Sequence, residues 1–297
     1  MIRFCVFSYN RGQFLRHCVA SIAACAPGCS ISIFDDHSDD SATRAVLDEL
    51  ATDYEILYPS DDDRDTRRKH GRLYHNMQRC FERQPPGTLL CFLQDDMQVV
   101  RPIGADEIAT WQAQLQHAQP ARLLHPVFLK GSERRHLADL RPSADSMGYT
   151  VAREQRSAGG WYSDILLASV DRLRACNWRF ADSERANEQQ ARTCFAQMLY
   201  LKDPFAAWLP NGPAWRGRQQ TLALRLAQRV NHCGFHPFTG MDAADALRFR
   251  ARPIDAAPYA ESYLQLRGAA LPQPWRYHPL QGRRLLKWLN SLELKLR

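Results

Sequence analysis

Two adjacent carboxylates, Asp95 and Asp96, interrupt an apolar run in LLCFLQDDMQVV, residues 89–100. An apolar run without helical spacing reads as a strand buried on both faces. Acids at the edge of its dry core must be solvated, paired or bound to a cation. Hard oxygen ligands beside a phosphate-bearing molecule suit Mg²⁺ or Mn²⁺. A plain turn also accounts for Asp at a strand end. A second pair with ligand chemistry, His232 and His236, lies in NHCGFHP. Its setting is not clearly helical, and lone histidines more often serve local structure.

The elements that must position these groups follow from periodicity. Residues 2–9 and 31–34 read as buried strands and 54–58 as a third, with helices expected at 14–24 and 42–50. Asp40 or Ser41 is the expected N-cap of the second helix. Residues 71–83 read as a helix that ends at Pro85-Pro86-Gly87, and the acid-ended strand follows. Strand alternating with helix implies a parallel sheet with right-handed crossovers, an α/β fold. In such sheets ligands bind beyond the carboxyl ends of the strands. The charged stretch DDDRDTRRK, residues 61–69, is expected to be a loop flanking that crevice. Further on, helices are expected at 108–117 and 182–200, a strand at 122–129, an apolar segment at 165–170 and an irregular loop over 131–155.

The composition, 45% hydrophobic and 24% charged over 297 residues, is that of a globular protein able to bury a sizeable core. A net charge of +7, mostly from Arg, favours anionic partners without choosing among them. No nucleic-acid recognition motif accompanies it. Nine cysteines without a C-x-x-C pair imply a reducing compartment with neither disulfides nor zinc. The chain opens on a strand, and no stretch has the length of a membrane span, so a cytoplasmic protein is expected.

Three stretches together resemble the GT-A glycosyltransferases, the family-2 type in particular: FSYNRGQFLRHCVASI, IFDDHSDDSATRAVLDEL and LLCFLQDDMQVV. They resemble, in turn, that family's opening strand with its YNR loop, its D-D-x-S-x-D-x-T sequence and its E-D-D metal site. GRLYHN resembles the family's G-x-x-x-A-R-N helix, with His75 where Arg is usual; Gln94 replaces the leading acid of the metal site. The resemblance implies a mostly parallel GT-A sheet flanked by helices and binding of a nucleotide-diphospho-sugar donor, expected to be UDP-linked. Asp36 would then read the base edge, with Ser8, Asn10 and Arg11 lining base and ribose. Arg72 and His75 would reach base or diphosphate, Asp95 the ribose or a metal-bound water, and Asp96 the Mn²⁺ or Mg²⁺ ion.

The resemblance also implies a general base near the start of the helix after Gly159-Gly160. Glu188 is the first candidate, with Glu184 and Asp182 as alternatives; a helix macrodipole favours acids there without any catalytic role. Asp164 is a candidate acceptor contact, and Trp161, Tyr162 and Trp178 are candidate sugar-stacking faces. The expected organisation is a catalytic domain over 1–215, its nucleotide half at 1–100 and acceptor half at 101–215, and a helical basic extension over 216–297. In that extension Leu222, Leu226 and Val230 form one apolar stripe, and Leu285, Leu289, Leu292 and Leu296, with Trp288, another. Basic residues surround both, so each helix either packs on the domain or lies on an anionic membrane surface. The combined expectation is an inverting hexosyltransferase acting on a glycan or lipid-linked acceptor in bacterial surface polysaccharide or glycolipid synthesis. The alternatives are a nucleotidyltransferase, whose Gly-rich signature is missing, and a catalytically silent scaffold.

Overall fold

The computed structural model describes residues 2–59, 72–117, 120–135, 140–151, 159–214, 221–268 and 270–296. The charged stretch 61–69 lies outside them. Strand β1 (Ile2–Ser8) is buried along nearly its whole length, so both of its faces must be covered. Its alternating side chains divide between two apolar layers. Ile2, Phe4 and Val6 pack with Leu15, Val19 and Ile22 of α1 (Gly12–Cys25) and Val46 and Leu47 of α2 (Ser41–Leu50). Cys5 and Phe7 face Tyr74, Met77, Cys80 and Phe81 of α3 (Leu73–Glu82). Asp40 caps α2, accepting from the Thr43 amide at 2.7 Å. Gly12 lets α1 approach α2 closely, because a Cβ there would lie 2.7 Å from the Thr43 Cα.

Strands β2 (Ser30–Asp35), β3 (Glu55–Leu57) and β4 (Leu89–Gln94) flank β1 in parallel, β2 and β4 directly and β3 beyond β2. Beyond them lie β6 (Leu124–His125), β7 (Leu140–Pro142), β8 (Gly148–Val151), β9 (Leu166–Ser169) and β10 (Leu199–Leu201), in the order β3-β2-β1-β4-β9-β6-β10-β8-β7. Only β9 and β8 run against the other strands of this sheet. The mostly parallel α/β sheet flanked by helices expected from the sequence is therefore present. The reversal of β9 matters for the site. Leu166, at its start, pairs with Phe92 near the end of β4, so the chain entering β9 meets the chain leaving β4.

Two expectations need correction. The segment 89–100 is not one strand: after Asp96 it turns, and β5 (Met97–Val99) joins β11 (Ala206–Trp208) in a separate two-stranded sheet. The segment 182–200 is not one helix: α6 (Glu184–Cys194) ends at an extended Phe195, and the apolar run Met198-Leu199-Tyr200-Leu201 supplies β10. Helices α4 (Ala105–His117) and α5 (Val170–Ala175) complete the flanks.

The last eighty residues share a core with what precedes them. Phe238, Phe249, Leu264 and Trp275 pack with Phe14, Val100 and Phe128, each fully buried aromatic contributing about 1.5–3 kcal/mol. Their helices are α7 (Leu222–Val230), α8 (Ala243–Arg250), α9 (Ala260–Tyr263) and α10 (Arg284–Leu296). Among the described residues no helix is long and apolar enough to cross a membrane.

Candidate active site

The carboxyl ends of β1, β2 and β4 converge on one edge of the sheet. Asp95, buried just after β4, accepts from the Ser8 hydroxyl and the Tyr9 amide, each at 3.2 Å, and from Arg11 Nη1 at 3.2 Å. Burial raises its carboxyl to about 6, against the opposing pull of Arg11. The same Nη1 lies 2.7 Å from Asp96 Oδ2, and Nη2 donates to the Pro213 carbonyl at 3.1 Å. One guanidinium thus bridges both acids. Asp96 Oδ1 is buried and has no hydrogen-bond partner among the described residues.

That orphaned oxygen is the structural fit for a divalent cation, because a buried carboxylate oxygen without a donor is costly unless something occupies it. The fit rests on Asp96 alone. Asp95 is filled by its donors, and among the described residues no group of three or more His, Cys, Asp or Glu is placed to hold a metal. A hard ion here would draw most of its ligands from substrate oxygens and water, as Mg²⁺ commonly does. His232 and His236 do not join the acids; His236 Nε2 meets the His232 carbonyl at 2.9 Å, a local contact.

Asn10 and His37, at the ends of β1 and β2, both take left-handed backbone conformations, with φ of 50° and 57°. Non-glycine residues held there often mark functional turns. Asn10 Oδ1 accepts from the amides of Asp39 and Asp40, tying the two strand ends together. Asp35 is wholly buried and holds Ser38 by its amide and hydroxyl. Asp36 is half-buried at the edge and accepts from the Arg72 amide at 3.3 Å. Arg72, immediately before α3, is buried with Nη1 unpartnered, and His75 stands half-buried in the first turn of α3.

Beside this edge lies a cavity of about 380 Å³ lined by Gln94, the Lys130 and Glu133 side, Asp164, Glu184, Tyr200 and Trp208. Gln94 precedes Asp95, so cavity and acid pair share the end of β4. Asp164, on the segment entering β9, accepts from the Tyr74 hydroxyl at 3.2 Å. Burial raises its carboxyl to about 6. Glu184, the first residue of α6, is raised to about 7 by desolvation, then by the charges of Asp164 and Glu188. The residue as a whole is exposed, so solvent screening tempers that shift. His125 is buried in the cavity wall, and desolvation lowers its pKa to about 3, keeping it neutral near pH 7. Lys130 Nζ sits 3.6 Å over the Trp208 ring.

Glu188 is placed differently. Its carboxylate accepts from the amides of Gly159, Trp161 and Tyr162 at 2.8–3.2 Å, with Arg192 alongside at 3.4 Å. It clamps the turn before β9. Asp182 is exposed in the approach to α6 and does not line the cavity. The stacking role expected for Tyr162 and Trp178 is corrected: both are buried and stack on each other at 5.9 Å, with no face left for a ligand. Trp161 is half-buried with Arg192 over its ring at 4.0 Å. The sequence reading missed His125, Lys130, Tyr200 and Trp208. A lysine inside the apolar stretch LLHPVFLK was the available signal.

No family model and no curated protein matches the chain. Among solved structures it is similar to S. aureus TarS at 12% identity and a TM-score of 0.47, over 70% of this chain and 36% of that one. A TarS 1–349 structure in complex with UDP overlaps at 11% identity and TM-score 0.46, over 69% of this chain and 59% of that one. The chain thus spans less than two thirds of both TarS structures. The mannosyltransferase PcManGT from Pyrobaculum calidifontis, in complex with GDP-Man and Mn²⁺, overlaps at 12% identity and TM-score 0.45, over 99% of this chain and 72% of that one.

Proposed function

We propose that the chain is a metal-dependent glycosyltransferase moving a sugar from a nucleotide-diphospho-sugar, UDP-linked, to a hydroxyl acceptor. The observation that supports this best is the continuity at the end of β4. An acid pair with one orphaned oxygen leads through Gln94 into a cavity where two of the carboxyls, Asp164 and Glu184, are weaker acids than usual. In this reading Asp36 accepts from the base, and Arg72 turns its unpartnered Nη1 to the diphosphate. Arg11 and the Ser8–Asn10 turn border the ribose beside Asp95, and His75 flanks the phosphates.

Asp96 holds the Mn²⁺ or Mg²⁺ ion, which when bound stabilises charge on the departing diphosphate. The acceptor oxygen bonds to the anomeric carbon as the carbon–oxygen bond to the diphosphate breaks, the electron pair leaving with the nucleotide. A carboxylate takes the hydroxyl proton. Glu184 suits that role better than Glu188, whose oxygens are engaged by backbone amides, and Asp164 orients the acceptor. A single displacement of this kind inverts the anomeric centre. Among the described residues Asp164, Glu184 and Glu133 outnumber Lys130 in the cavity, which favours an uncharged polyol, such as a glycan hydroxyl, over a phosphorylated acceptor. Bacterial surface polysaccharide or glycolipid assembly is the process such an acceptor fits.

A scaffold reading draws on one observation: Arg11 already neutralises the acid pair. Thermal unfolding with UDP, GDP, CMP or ADP, with and without Mn²⁺, separates the two. A ligand at a hundred times its Kd stabilises by about 2.7 kcal/mol. A metal-dependent rise in Tm with UDP, lost in Asp96→Ala, is the expected result. No rise with any nucleotide at millimolar concentration leaves the scaffold.

A further inference from the structure

Helix α10 is amphipathic in the wrong sense for a helix packed on its own protein. Asn290, only 1% exposed, and Glu293 face α7, whereas Leu285, Trp288, Leu289 and Leu292 face outward, Trp288 with 60% of its surface exposed. The inward contacts are polar and specific. The Thr221 hydroxyl donates to Asn290 Oδ1 at 2.5 Å, and Glu293 accepts from the first amides of α7, Leu222 at 2.7 Å among them. Among the described side chains of α10, Leu286 alone joins the small apolar cluster with Leu224, Ala227 and Leu280. Helix α7 does the same, burying Ala223, Leu224 and Ala227 and exposing Leu222, Leu226 and Val230.

Each helix of this contacting pair therefore presents an outward apolar ridge. The charges around them are of one sign. Arg225, Arg229, Arg284, Lys287 and Lys295 are exposed, and the sole acid on either helix, Glu293, is spent on capping α7. Large aliphatic ridges with a tryptophan, rimmed by Lys and Arg, match a bilayer interface rich in anionic headgroups. A helix of 13 residues is too short to span a bilayer and lies in its plane instead.

We infer that the α7–α10 pair is a docking surface for an anionic lipid bilayer. This surface is independent of the catalytic reading, since neither helix contributes a residue to the active site. The test is flotation of the full-length protein with vesicles of phosphatidylcholine alone or mixed with phosphatidylglycerol. Binding to the mixed vesicles, weak or absent on the neutral ones and reduced by salt, is expected. Leu285→Ser with Trp288→Ser, both at exposed positions, should abolish it while nucleotide-dependent Tm shifts persist. Arg225→Gln with Arg229→Gln and Lys287→Gln should weaken partitioning by about 100-fold, at roughly fivefold per charge. Equal binding by wild type and both variants overturns the inference. So does the absence of vesicle binding, including the case where sedimentation shows a dimer that Trp288→Ser dissociates, since the face then serves a second copy.

Discussion

Two arginines, the wholly buried Arg101 and the half-buried Arg11, each clasp carboxylates, and they differ in what is left over. Arg101 is wholly buried and uses all five of its N–H groups, on Glu107 and on the carbonyls of Pro102, Asp203 and Pro204. Glu107 is further bonded to the Gly104 amide and flanked by Arg250. Nothing there waits for a partner. Arg11 bridges Asp95 and Asp96, yet Asp96 Oδ1 stays buried and unpaired. Burial of an ion pair alone does not mark a functional site; a saturated cluster braces the fold, whereas an unsaturated one at the strand ends has room for a ligand. The cavity carboxyls Asp164 and Glu184 form a third case, with no guanidinium bonded to them among the described residues and raised pKa values instead.

The largest effect should come from the third case. Glu184→Gln should lower kcat by about 10²–10⁴-fold, the usual worth of a general base. Wild-type kcat/KM should rise with pH through about 7, and the variant should lose that limb. The raised pKa means the folded state holds the proton more tightly than the unfolded chain. Its contribution to stability is thus complete below the ordinary 4.5 and lost as pH climbs through 7. A profile unchanged by the substitution would move the base elsewhere. Next, Arg101→Ala should cost about 3–5 kcal/mol in urea unfolding, because it strands Glu107 and three carbonyls. Nucleotide affinity of the folded fraction should hold; a parallel loss of affinity would erase the distinction between brace and site. The smallest effect concerns metal. With Arg11→Met, Mn²⁺ binding followed by paramagnetic resonance without nucleotide should tighten roughly tenfold, since the competing cation is gone. Unchanged or weaker binding would show that Arg11 and the ion do not share Asp96.

The first hundred residues were legible because strands buried on both faces leave unbroken apolar runs that stop at their polar ends. That pattern placed Asp95 and Asp96 at a strand end, and the resemblance added Ser8 and Asp36 beside them. The second half misled for a physical reason. Cys194, Met198 and Leu201 sit at helical spacing, yet the contiguous apolar residues 198–201 complete the sheet, and pairing outweighed spacing. The cavity was illegible because its wall gathers residues from widely separated segments, Gln94, Lys130, Asp164, Glu184 and Trp208. Local periodicity carries no record of that assembly. Nor did composition show that the apolar stripes of α7 and α10 point outward, since the same stripe reads as core when its partner is unknown.

The reversal of β9 divides the molecule's heritable options. Asp95 and Asp96 stand where a parallel strand finishes, and Asp164 stands where an antiparallel strand begins. Residues inserted ahead of Asp164 would reshape one wall of the cavity without shifting the register of β1, β2 or β4. Loops at such positions vary more readily than the strands they join. On the function proposed above, lineages carrying this architecture are free to change what receives the sugar while inheriting, unaltered, the apparatus that holds what supplies it.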